Sequence, residues 1–155
     1  MIKYFFTFIA VFLIQLIFVQ HLTINNIRPD LLIIFVLYLA VKNGSFRGTI
    51  FGFLIGVIAD LFDVGSTIGV LPLLYSISGY IGGFLHEQRN KIQPIMFYII
   101  CLLIMILPYI IFVYSNSQYL YFNDFPAFLF LWFKMTLYTA LIFTILQLFL
   151  PLRKI

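Results

Sequence analysis

Charge is what this sequence has least of. Only 9% of its 155 residues are Asp, Glu, Lys or Arg, against about 25% in soluble domains. Hydrophobic residues make up 64% of the chain, and its mean hydropathy is +1.14. So few polar groups cannot cover a surface of this size, and lipid has to be the solvent for most of the chain. A single cysteine, Cys101, sits inside an apolar run. Alone it forms neither an intramolecular disulfide nor a Cys-based metal site. Five acids in total are too few for the carboxylate clusters of a cation-dependent lipid enzyme. The excess of bases gives a net charge of +4, but they stand singly or in pairs. No basic stripe interleaved with stacking aromatics exists, which excludes a nucleic-acid partner.

The histidines number two, His21 and His86. Read onto the spans below, they fall at opposite membrane faces and cannot share a metal. No Ser–His–Asp set assembles on one side. No glycine-rich phosphate loop ends in Lys-Ser or Lys-Thr. Neither an enzyme nor a cofactor is expected.

What the chain does have is apolar length. A crossing helix needs about 20 apolar residues, and polar punctuation divides the sequence into six candidate spans: 4–20, 29–42, 46–62, 67–85, 94–114 and 126–151. The expected fold is therefore an all-α integral membrane protein with one transmembrane domain over 1–155. The start resembles a signal peptide, but Gln15 and Gln20 interrupt it and no small-x-small cleavage site follows. A retained first span is expected. The second span is short, and Pro29 lengthens it by occupying the first helical turn, where its missing N–H costs nothing. Pro108 should kink or break the fifth span. Pro72 should either kink the fourth or break it near Gly65 and Gly69 into a re-entrant segment.

Sorting the bases tests the topology. With the N-terminus in the cytoplasm, Lys3, Lys42, Arg47, Arg89, Lys91, Arg153 and Lys154 fall inside. Only Arg28 falls outside, and Lys134 lies within the sixth span. The asymmetry predicts six helices with both termini cytoplasmic. Tyr119, Tyr121, Phe122 and Phe125 then cluster in the last outer loop, at the headgroup layer that suits amphipathic rings.

Gly44, Gly48, Gly52, Gly56 and Asp60 recur every four residues, forming one stripe on the third helix. Gly79 and Gly83 repeat the spacing on the fourth. Such stripes let helix backbones approach closely in lipid, so an antiparallel, close-packed pair is expected. Asp60 continues the stripe and should face protein, with Asp63 beside it. Lys134 enters the sixth helix from the same side, and an Asp60–Lys134 ion pair pinning helices three and six is the expected arrangement. The alternative is that Lys134 snorkels alone and Asp60 caps backbone near the loop. Asp30 falls at the start of the second helix, where the helix dipole favours a carboxylate. Arg28 would offset Asp30 or Asp63 at the outer rim. Together Arg28, Pro29, Asp30, Asp60, Asp63 and Lys134 form the expected outer-face polar cluster.

Taken in order, Pro29-Asp30, Gly44, Gly48, Gly52-Phe53, Gly56, Asp60, Gly69, Tyr75 and Gly79-Tyr80 resemble the pattern of the rod shape-determining protein MreD family. The similarity runs over essentially the whole chain. It implies a non-enzymatic inner-membrane scaffold of the bacterial elongation machinery, one that accompanies MreC, a single-span coiled-coil protein. Through MreC it connects MreB filaments with peptidoglycan synthases and maintains cell shape. The fold it implies is similar to the six-helix substrate-binding subunits of energy-coupling-factor transporters. That likeness defines the alternative, a vitamin-binding transporter subunit with an outward polar pocket. A metal-dependent lipid enzyme built on Asp60 and Asp63 is a third.

Overall fold

The computed structural model describes residues 9–15, 29–62, 67–106, 108–149 and 152. Expectations resting on Lys3, His21, Arg28, Asp63, Gly65, Arg153 and Lys154, or on cleavage after the first span, lie outside these residues. Every regular element described is helical: α1 (9–15), α2 (Leu31–Asn43), α3 (Ser45–Phe62), α4 (Val70–Gly83), α5 (Leu85–Gln88), α6 (Pro94–Ile106), α7 (Tyr109–Asn116), α8 (Gln118–Asn123) and α9 (Phe125–Phe149). Three runs are long and apolar enough to cross a membrane: Ser45–Phe62, Pro94–Asn116 and Phe125–Leu148.

The post around which the others stand is α2. Its run LLIIFVLYLAV is apolar on every side, the pattern of a helix enclosed by protein, and Leu32 to Leu37 together with Leu39, Ala40 and Val41 are all buried. At 13 residues it is about 20 Å long, too short for a hydrocarbon core of about 30 Å. One of its ends is capped by the Asp30 carboxylate. The other closes on Gly44, whose φ of 87° is in the left-handed region, with its N–H bonded to the Ala40 carbonyl. Gly44 thus leaves the glycine stripe and acts as the turn between α2 and α3. His86 on α5 holds the same end, its Nδ1 donating to the Val41 carbonyl at 2.8 Å. A donor there satisfies one of the carbonyls that a helix C-terminus leaves unpaired.

The glycine stripe does bury itself. Gly48, Gly52, Ile55, Gly56 and Ala59 form the covered face of α3, while Phe46, Ile50, Phe53 and Leu54 face outward. The facing helix is α4, antiparallel, and the register is read from what a Cβ would strike. Gly48 lies against Gly79 and Gly79 against Gly48, Gly52 against the Tyr75 carbonyl, Gly56 against Pro72, and Gly83 against Ser45. At each of these glycines a Cβ would come closer than 3.0 Å to backbone of the opposite segment. Gly82 turns to the other side, towards Leu37 and Ala40 of α2. The three helices α2, α3 and α4 so form a compact core, as small-residue interfaces allow in lipid.

Proline placement corrects the reading of the fourth span. Pro72 is the third residue of an unbroken α4, a first-turn position where no intrahelical N–H partner is lost. The helix begins at Val70 rather than 67, after Gly69 in the left-handed region with φ of 95°. In the fifth span Pro108 does end one helix and begin another, α6 and α7. The stretch after it, read as loop, contains the short helix α8. Around it the Tyr121 ring meets Tyr114, Phe122, Phe125 and Phe128 edge-on, with centroids 5.0–5.8 Å apart.

Candidate functional site

A helix that starts inside an apolar layer presents N–H groups to surroundings without water, where each unpaired group costs several kcal/mol. The start of α2 is buried in protein, where the same cost applies, and side chains from the rest of the bundle converge on it. Asp30 is the N-cap: its Oδ1 accepts from Leu32 N at 2.9 Å and from Ile33 N at 3.1 Å. Its Oδ2 accepts from the Tyr75 hydroxyl at 2.6 Å and the Tyr109 hydroxyl at 2.9 Å. The Asp30 N–H points to Thr139 Oγ1, 3.4 Å away. From α1, Gln15 brackets the same peptide segment, with Nε2 donating to the Pro29 carbonyl at 3.2 Å and Oε1 accepting from Leu31 N at 2.9 Å.

Five helices therefore meet at three consecutive residues. Gln15 comes from α1, Tyr75 from α4, Tyr109 from α7 and Thr139 from α9. Both tyrosines are buried, at 2% and 5% exposure, and both hydroxyls donate to this carboxylate. Two oxygens with four donors fill the acceptor capacity of a carboxylate. The chemistry available is cohesion: neutral donors spread the negative charge, and the α2 dipole adds to it. The crevice next to the hub, lined by Met105, Ile106, Tyr109, Thr136, Thr139 and Ala140, encloses no room for a ligand.

Among the described members of the expected outer-face cluster, Asp30, Asp60 and Lys134 find separate partners. Asp30 and Pro29 belong to the hub, level with Thr139, which lies about 21 Å into α9 at 1.5 Å per residue. Asp60 caps the next turn instead, its Oδ2 accepting from Gly69 N, while its buried Oδ1 has no partner among the described residues. Lys134 does not reach Asp60: its ammonium lies over the Phe130 ring of its own helix, 4.0 Å from the centroid. The physical reason is local supply. The N–H of Gly69 stands nine residues from Asp60 in sequence, and Phe130 sits one turn from Lys134, so each finds a partner without crossing the bundle.

Gln15, Tyr109 and Thr139 were not legible as site residues. Each is a polar side chain in an apolar span, which is a usable signal in lipid, but no sequence spacing links them to Asp30.

A family model, rod shape-determining protein MreD, matches residues 1–154. The chain belongs to the MreD family. Comparison with curated proteins gives no match, nor does comparison with solved structures. Membership assigns this chain a role in the determination of rod shape, and its apolar helices make it a membrane protein. The residues that carry the resemblance, Pro29-Asp30, the spaced glycines and Tyr75, lie at the hub and on the α3–α4 seam. In this MreD chain the Tyr75 hydroxyl donates to Asp30, the Pro29 carbonyl accepts from Gln15, and Gly48, Gly52, Gly56, Gly79 and Gly83 line the seam.

Proposed function

We propose that the chain is a non-enzymatic scaffold of the bacterial inner membrane within the cell-elongation complex. It joins an MreC-like single-span protein and, through it, MreB filaments and peptidoglycan synthases. It crosses the membrane six times with both termini cytoplasmic, the arrangement that puts seven of its nine bases inside. The observation that carries this reading beyond family membership is the hub. Its polar groups are turned on one another, tying five helices into one rigid body with its apolar faces left outward. A platform for other membrane helices needs that rigidity, whereas a transporter subunit needs a cavity with polar groups turned towards a ligand.

Purification from the native membrane in mild detergent, followed by mass spectrometry of what stays bound, tests the reading. A single-span coiled-coil protein recovered with cell-wall synthases supports the scaffold. A retained vitamin-like molecule, or a pair of cytoplasmic ATPases, overturns it.

A further inference from the structure

The third candidate span, α9, is the least enclosed of the three: 17% of its apolar window is buried, against 28% for α3 and 35% for the α6–α7 run. Its outward side carries Phe130, Leu137, Leu141, Ile145 and Leu148 at helical spacing, each 47% exposed or more. Near the N-terminal end of that stripe, four residues after Phe130 and three before Leu137, stands Lys134. It is nine residues into the helix, about 13 Å from its start.

A lysine at that depth is expensive without an acceptor. Of the acids among the described residues, Asp30 is filled by four donors, Asp60 is bonded to Gly69 and Asp124 caps Ala127 N at 3.1 Å. Glu87 lies in α5, next to the end of α2 opposite the hub. What Lys134 has instead is the face of Phe130, which is 59% exposed. A cation on an open aromatic ring is held more weakly than one paired with a carboxylate in a low-dielectric layer. Lys134 is half-buried, and its ammonium rests on the exposed Phe130 ring at the edge of that apolar face.

From this we infer that the exposed face of α9 beside Lys134 is a docking surface for one transmembrane helix of a different protein, which carries an Asp or Glu at the depth of Lys134. A second copy of this chain does not fit, because a two-fold contact on this stripe would bring Lys134 against its own counterpart. The inference rests on the scaffold reading only in requiring a membrane partner, and it assigns the surface that such a partner uses.

The test is photo-crosslinking in the native membrane with benzoylphenylalanine placed at Leu137 or Leu141, and at Ile99 on the exposed side of α6 for comparison. The expected result is an adduct from 137 and 141, absent from 99, with a helix bearing an acid. Lys134→Glu should lower its yield roughly tenfold or more. Lys134→Arg should keep it, and replacing the partner's acid by Lys should restore it in the Lys134→Glu background. Adducts with lipid alone or with a second copy would overturn the inference, as would a yield indifferent to Lys134→Glu. Restoration by charge reversal also controls for misfolding, since it cannot rescue a chain that Lys134→Glu has unfolded. An acid-bearing partner foreign to the cell-wall machinery would leave this docking face standing and count against the scaffold.

Discussion

Tyr75 reaches across 45 residues of sequence to place its hydroxyl 2.6 Å from Asp30 Oδ2, and Tyr109 brings a second hydroxyl to the same oxygen from 79 residues away. Two buried rings on different helices thus share one carboxylate oxygen. Interhelical hydrogen bonds in lipid are worth about 0.6 kcal/mol on average and about 1.7 at most. Tyr75→Phe and Tyr109→Phe should each destabilise by about that range, and the double variant should fall short of the sum because the two share an acceptor. Thermal unfolding in detergent micelles measures all three.

Replacing the carboxylate should cost more than removing either ring hydroxyl. Asp30→Ala strands two helix N–H groups and two hydroxyls at once, and each buried unpaired group costs about 1–3 kcal/mol. Asp30→Asn keeps an oxygen for Leu32 N and Ile33 N but faces the tyrosines with an amide that donates. The expected order of folded yield is wild type, Asn, then Ala, read by size exclusion in mild detergent. An Ala variant as well folded as the parent would show that water or lipid headgroups reach this helix start.

The glycines separate into two kinds, and a single methyl group distinguishes them. At Gly52 a Cβ would meet the Tyr75 carbonyl closer than 3.0 Å, and backbone in a packed helix does not move aside. Gly52→Ala should therefore splay α3 from α4 and cost more than about 2 kcal/mol. At Gly69 nothing lies within 4 Å, but φ is 95°. Gly69→Ala should cost about 1–2 kcal/mol through backbone strain alone, and Gly69→Asn less. Thermal midpoints of the three variants, together with rescue of rod shape in depleted cells, check the order.

Much of the seam was legible in the sequence, because it depends on residues that repeat. Glycines at four-residue spacing can do little else in lipid than admit a neighbouring backbone, and the short connection after α3 made that neighbour α4. The run at 31–41 was legible as apolar and short, but not as the central post. Length alone does not say that a helix begins beneath the surface. The hub was half visible: Asp30 reads as a helix start, while Tyr75, Tyr109, Thr139 and Gln15 are brought to it only by the packing of four other helices. The Asp60–Lys134 pairing failed for the opposite reason. Opposite charges invite a long-range partner on paper, yet each residue had a closer neighbour on its own side of the bundle.

Two prolines that look alike in the sequence should behave differently. Pro72 sits in the first turn of α4, where no helical N–H bond is given up, and the helix runs on through it. Pro72→Ala keeps the backbone atoms that Gly56 packs against, so its effect should stay within about 0.5 kcal/mol. Pro108 begins α7 and sets the direction from which Tyr109 approaches Asp30. Pro108→Ala removes the block that separates α6 from α7 and lets the two helices run together. That should swing the Tyr109 hydroxyl off the carboxylate. The loss should match Tyr109→Phe in size, and adding Tyr109→Phe to Pro108→Ala should then change little. Thermal unfolding of the four chains closes the cycle. Full additivity would mean that the break at Pro108 serves something other than the hub.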